Sequence, residues 1–358
     1  MIDKVRAMEP IAPLTRKEMI AAIEGKGCPS RVPMIYHFWC SPGRFGDDMP
    51  IAQEIMAKYP LDVAVIGIGM PYMERSPADD PSYKFINIGY EESELEGLAL
   101  DERVLMKDWG MLDEVLERFP SAYSPRLIPK GVGDDGKYKM GVWWSCLFER
   151  FWTVRGMTNA FMDFYLYPNQ VHRFFRAMTD FYKIMIKRAK DEGLGLNGIF
   201  TSDDLGTQTS AFFSLDIFRE FFKPYYKEII ECAHENDMHF WLHACGNMDL
   251  FLPDFIEIGL DVIHPIQKYA MDEKAAAAKY QKDICFWAGF DVQQTIPYGT
   301  PDDVRAEVRF MIDTYCRSDG RLILTMGNQV TPDCKIDSLY ALFDESYNYG
   351  IKKIKGGM

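Results

Sequence analysis

In "WLHACGN", residues 241–247, a histidine and a cysteine stand two apart and a glycine follows at once. On a strand, side chains alternate, so His243 and Cys245 point the same way and are the last two residues of that register before Gly246 ends it. A neutral imidazole and a thiolate at i and i+2 suit zinc, a borderline-soft ion. The same spacing also fits a polar pair packed into a tight strand end. The pattern is short, and spacing alone leaves both readings open.

Further polar groups fall at the ends of other predicted strands. "TSDD" supplies Asp203 and Asp204, "HPIQ" supplies His264 and Gln267, "FDVQQ" supplies Asp291 and Gln293, and "MGNQ" supplies Asn328 and Gln329. The first predicted strand contains Tyr36 and ends in Cys40, followed by "SPGRFG" with Arg44. A solvated loop accounts for any one of these; six such ends converging on one mouth point to a site. Trp143, Trp144, Phe148, Phe151 and Trp152 either wall a cavity or pack as core. His172, His234 and His239 fall on helices or at a strand start and read as structural.

The elements that must position these residues are legible from periodicity. Eight strands are predicted: 33–39, 62–68, one within 141–149, 197–203, 239–245, 261–267, 284–290 and 321–327. Thr15 caps a predicted helix "RKEMIAAIEG" that Gly25 stops. "SLDIFREFFKPYYKEIIECAHEND" reads as a helix kinked at Pro224. Thr300, Pro301 and the acids after them start a helix that runs to Arg317. Strands alternating with helices favour an α/β architecture, a (β/α)8 TIM barrel over residues 1–358 as one domain. An N-terminal helical extension covers 1–30, and a long excursion covers 70–140, with a helix near "MLDEVLERFP". No glycine-rich phosphate loop follows any strand, which disfavours an open nucleotide-binding sheet. In a barrel the site lies at the C-terminal strand ends, where the polar residues above fall.

The totals agree. The 358 residues are 47% hydrophobic and 26% charged, enough for a large core. The formal charge of −13 and a pI of about 5.0 argue against nucleic acid as the main partner. No apolar run has the length of a membrane span or of a signal-peptide core, so no membrane association is expected. Eight cysteines without a CxxC do not form a disulfide framework, and a reducing cytoplasm is the expected location.

Three stretches carry a family resemblance: "LHACGNMDLFLPDFIEIGLDVIHPIQ", "FWAGFDVQQTIPYGTPDDVRAEV" and "LTMGNQVTPDCKIDSLYALFDESY". With "DDLGTQTSAFFSLDIFREFFKPYYKEII", they resemble the uroporphyrinogen decarboxylase superfamily over about residues 195–350. The resemblance implies a (β/α)8 barrel and two kinds of activity. One is metal-free decarboxylation of uroporphyrinogen. The other is corrinoid-dependent methyl transfer, in which zinc holds a thiol that takes the methyl group. The residues depart from the first kind. Its arginine-rich "RQAGRY" is "CSPGRF" here, with Arg44 kept and Cys40 in place of the leading arginine. Its aspartate falls on Gly69, its tyrosine on Glu149 and its late histidine on Asn328. The methyltransferase branch carries HxCG, which His243, Cys245 and Gly246 match, and a later cysteine whose place Asn328 takes.

The resemblance therefore implies zinc-dependent methyl transfer to or from a thiol or corrinoid carrier. Zinc is held by His243 and Cys245, with Cys40 the preferred third ligand; Cys334, Asn328, Asp203 and Glu149 are the other choices. Asp203, Glu149 and Arg44 are the catalytic candidates. Tyr36, Trp144, Asp204, His264, Gln267 and Asn328 are the candidate substrate-binding residues. "DMHFWL" lacks the glycine of a cobalamin motif, so a corrinoid would arrive on a partner protein. A homodimer is the family-level expectation. The alternatives are decarboxylation of an acidic substrate and a non-catalytic ligand-binding barrel.

Overall fold

The structure is a computed structural model that describes residues 1–69 and 104–356. Among these, seven strands form one parallel sheet in sequential order: β1 Val63–Gly67, β2 Tyr138–Val142, β3 Gly198–Ser202, β4 His239–His243, β5 Val262–His264, β6 Cys285–Phe290 and β7 Leu322–Met326. The strands are short, and β3 and β7 are buried along their whole length, as strands covered on both faces must be.

The helices are α1 Ile2–Ala7, α2 Arg16–Glu24, α3 Met49–Lys58, α4 Leu112–Arg118, α5 Phe148–Arg155, α6 Met157–Leu166 and α7 Pro168–Asp191. They continue with α8 Leu215–Ile217, α9 Lys223–Glu235, α10 Leu252–Glu257, α11 Glu273–Tyr280, α12 Thr295–Tyr298, α13 Pro301–Tyr315 and α14 Ile336–Lys355. None is long and apolar enough to cross a membrane.

Local chemistry explains several boundaries. Thr15 and Glu18 form a reciprocal capping box at α2, and Gly25 ends that helix in the left-handed conformation. Thr300 and Asp303 form the same box at α13, with Pro301 at its first position. Before Pro224, which has no N–H to donate, residues 218–222 widen into a π turn. The expected kink is absorbed there.

Two expected strands differ. The 33–39 strand is a single bridge, Met34 to Leu324 of β7, and Tyr36–Phe38 is a 3-10 turn. On its other side Met34 reaches Asp62, which donates its backbone N–H to the Met34 carbonyl at 3.2 Å and accepts the Met34 N–H on its carboxylate at 2.7 Å. Asp62 is also paired with buried Arg31 through two bonds, of 2.6 and 2.7 Å. A buried ion pair thus holds the seam that backbone pairing leaves short. The strand placed within 141–149 ends at Val142, and Phe148 and Glu149 open α5 instead. The predicted helix near "MLDEVLERFP" is α4. The rest of the excursion, 70–103, lies outside the described residues.

Large rings fill the interior of the curled sheet. Trp287 lies 5.5 Å from Phe200, 5.4 Å from Trp241 and 5.6 Å from Phe38, ring centre to ring centre. Such filling makes the sheet interior a packed core, leaving polar chemistry to the strand ends. At the N-terminal end, the Tyr138 hydroxyl donates to the Asn197 carbonyl, accepts from the Trp241 indole and meets His239 at 3.0 Å. His239 is thereby structural, as are His172, bound to the Tyr225 hydroxyl, and His234, bound to Asp261.

Candidate metal centre

At the C-terminal end of β4 the ladder continues for one residue: Ala244 donates to the His264 carbonyl, and Asp203 at the end of β3 donates to the His243 carbonyl. These bonds bring three strand ends together. Cys245 follows, its N–H held by Asp204 Oδ1 at 2.7 Å. Gly246 then turns the chain at φ +89, with its N–H bonded to Gln267 Oε1. A Cβ at Gly246 would collide with the backbone of Gly206, so only glycine permits this turn.

The result is one compact donor group. A nitrogen of His243, the sulfur of Cys245 and a carboxylate oxygen of Asp204 all lie within 4.8 Å of one another. His243 Nε2 is 3.3 Å from Cys245 Sγ and 3.4 Å from Asp204 Oδ1. Tetrahedral zinc with ordinary bond lengths separates an imidazole nitrogen from a thiolate sulfur by roughly 3.5 Å and from a carboxylate oxygen by roughly 3.4 Å. The donor set and its spacing fit zinc. Three donors from the protein would leave a fourth position open on a tetrahedral ion, as in zinc sites that take an outside ligand.

Burial governs the electrostatics. It pushes His243 below the ordinary histidine value, against the opposing charge of Asp204, and so favours the uncharged imidazole. It pushes the Cys245 thiol well above its ordinary value, and Asp204 adds to that. Asn328 Nδ2, 3.5 Å from Sγ, favours the thiolate but does not prevail. A bound divalent cation would oppose this shift, because its charge favours the thiolate.

Behind the donors lies His264, fully buried and bonded to His243. Trp39 stacks on His264 with ring centres 4.9 Å apart and planes 6° from parallel, and lies 5.0 Å from His243. Nothing about Trp39 in the sequence marks it out beyond its place beside a strand end.

Beside the donors, Asp203 carries a second arrangement. Its carboxylate accepts the backbone N–H groups of Leu147, Phe148 and Glu149 and the hydroxyl of Tyr226. Leu147 has no side chain to cap α5, and the aspartate from the neighbouring strand does so instead. Burial raises the pKa of Asp203, and these four donors oppose that. Its bonds are used up in structure. Glu149 is the acid left facing a cavity of about 320 Å³, together with Trp144, Ser145 and Ser202. Ser202 donates to Glu149 Oε2 at 2.5 Å. Burial first, then the charges of Asp204 and Asp203, hold the Glu149 carboxyl above the usual carboxylate range. A second, smaller cavity is lined by Cys245, Gln267, Gly289, Asp291, Gly327 and Asn328.

The other expected site residues divide. Gln267 and Asn328 line the Cys245 cavity, and Trp144 lines the Glu149 cavity. Cys40 is buried outside the donor group, and Asp204 stands where a third ligand was expected of it. The 3-10 turn after Ile35 breaks the alternation that would have carried Cys40 to the mouth, and Trp39 arrives there instead. Tyr36 faces outward for the same reason, its hydroxyl bonded to Ser346 on α14 at 2.8 Å. His264 lies behind the donors and is not exposed to substrate. Arg44 is exposed on the 42–48 segment. Cys334 is buried and joins no donor group among the described residues.

Comparison with known proteins gives the family. The model of the family described as uroporphyrinogen decarboxylase (URO-D) matches residues 152–349, more than half of the chain. The chain belongs to this family. No curated relative matches the sequence. Among solved structures, the chain is similar to a "methyltransferase from Methanosarcina mazei", with 16% identity over 94% of this chain and 98% of that one and a TM-score of 0.58. That likeness shows a shared fold. A glycosylated endo-beta-1,4-xylanase from Gloeophyllum trabeum aligns over 93% of this chain and 100% of its own, at 9% identity and a TM-score of 0.39.

Proposed function

We propose that the chain is a zinc-dependent methyltransferase that moves a methyl group to or from a thiol or a corrinoid carrier. The observation that carries the reading is the donor group of His243, Cys245 and Asp204 within 4.8 Å. A zinc ion held there would supply a positive charge that lowers the pKa of a thiol bound beside it. In the transfer, a sulfur lone pair forms the new bond to carbon as the donor–methyl bond breaks, its electron pair leaving with the donor.

The chain's own residues supply position and polarity. His243, Cys245 and Asp204 would hold the metal. Gln267 fixes the turn that carries Cys245, and Asn328 donates toward its sulfur. Glu149, kept protonated by its surroundings, presents a proton to a group bound beside Trp144. Asp203 holds Glu149 in place and takes no part in transfer. A (β/α)8 barrel, with the 33–35 segment as its eighth member, is the architecture that fits this reading. The proposal further includes a cytoplasmic homodimer and, if a corrinoid takes part, a separate carrier protein.

Decarboxylation of a uroporphyrinogen-like substrate finds less support. The place aligned with that reaction's aspartate is Gly69, where a Cβ would run into the Arg126 carbonyl oxygen. The position admits no side chain.

Metal analysis tests the proposal. Protein loaded with zinc and freed of excess is expected to retain about one equivalent and to lose it on Cys245→Ser. Wild-type protein that retains none, or a Cys245→Ser variant that retains as much, would overturn it.

A further inference from the structure

We infer that His264 is a positioning residue that fixes the tautomer of His243, leaving a lone pair on the nitrogen that faces Cys245 and Asp204. The inference rests on the zinc reading above for its purpose, but its geometry stands alone.

His264 Nε2 lies 2.8 Å from the backbone carbonyl of Met326. A carbonyl only accepts, so Nε2 carries a proton. His264 Nδ1 lies 2.6 Å from His243 Nδ1, a contact that needs one proton and one lone pair. If His264 supplied that proton as well, it would be a buried cation. Its neighbours are the rings of Trp39, Trp287 and His243, at 4.9, 4.6 and 4.8 Å. No carboxylate among the described residues bonds to it. A fully buried imidazolium without a counter-charge is costly. His264 is therefore neutral, with its lone pair on Nδ1, and His243 donates from Nδ1.

A neutral His243 then has its own lone pair on Nε2. This atom is 3.3 Å from Cys245 Sγ and 3.4 Å from Asp204 Oδ1. The Cys245 S–H lies within reach of this lone pair, and a metal would take the thiol proton's place. The relay runs from the Met326 carbonyl through two imidazoles to the donor group. Such outer partners set which ring nitrogen is free to ligate and how basic it is. Trp39, flat against His264, restrains the orientation of the second ring.

Two measurements test this. In metal-free protein labelled with ¹⁵N-histidine, long-range ¹H–¹⁵N spectra resolve the tautomer of each of the six histidines. His243 is expected with its proton on Nδ1 and His264 with its proton on Nε2. A proton on Nε2 of neutral His243 would overturn the inference. In the second arm, zinc is titrated into three proteins. His264→Phe, which has no acceptor, is expected to bind about 10–100-fold more weakly than wild type. His264→Asn, which puts an amide oxygen near the place of Nδ1, is expected to recover most of that loss. A His264→Phe variant that folds and binds as tightly as wild type counts against it. If wild-type protein takes no zinc, the zinc reading fails, and the spectra alone decide the role of His264. If His264→Phe does not fold, the same spectra decide.

Discussion

Asp203 Oδ1 holds the backbone N–H of Glu149 at 2.7 Å, so one buried acid positions the other. The pair comes from different elements, the end of β3 and the first turn of α5. Their carboxyls have opposite tasks: Asp203 turns inward to cap a helix, and Glu149 turns to a cavity. That division separates what a substitution does to stability from what it does to activity.

Asp203→Asn removes one carboxylate oxygen and sets an amide donor against donors already present. The variant is expected to lose about 1–3 kcal/mol of stability, read as a lowered urea midpoint. Zinc content at saturation should be unchanged, since Asp203 is outside the donor group. A variant as stable as wild type would show that the cap is not needed.

Glu149 gives a pH signature. Its folded-state pKa lies above the unfolded one, because burial and the charges of Asp204 and Asp203 oppose ionisation. Between the two values the folded protein binds more protons than the unfolded chain, so Glu149 makes stability fall as pH rises. The window opens at the unfolded value of about 4.3 and closes at the raised folded one. Glu149→Gln removes this slope. Denaturant midpoints taken at pH 5 and pH 8 should therefore favour the variant more at pH 8. Equal differences at the two pH values would mean that the carboxyl ionises as freely as in the unfolded chain.

The ligand assignment is checked residue by residue. His243→Ala, Cys245→Ser and Asp204→Asn are each expected to lower zinc retention after dialysis. Cys40→Ser is expected to leave it at the wild-type level, because that thiol is buried elsewhere, its pKa raised to about 12 by burial. Loss of zinc on Cys40→Ser would return Cys40 to the site and displace Asp204.

Gly246→Ala tests the turn itself. Positive φ and the backbone of Gly206 leave no room for a methyl group. A loss of about 1–3 kcal/mol is expected, and zinc affinity should fall with it as Cys245 shifts. Crystals of the variant with Cys245 unmoved would refute the second part.

Much of this protein is legible in its sequence. Caps such as Thr15 and Thr300 act within three residues, and strand alternation acts within two, so local chemistry alone placed α2, α13 and most strands. Alternation also set His243 and Cys245 on one side, because that relation needs no other part of the chain. The tertiary structure decided what depends on distance in sequence. Asp204 becomes the third donor because β3 and β4 pair in register. Asp203 is spent on α5 because Leu147 cannot cap it. Trp39 replaces Cys40 because a 3-10 turn changes which residue faces inward. The partner of His243 is a histidine 21 positions away, brought to 2.6 Å by strand pairing. Local rules fix which side chains point together; only the packing of separate strands fixes which atoms meet.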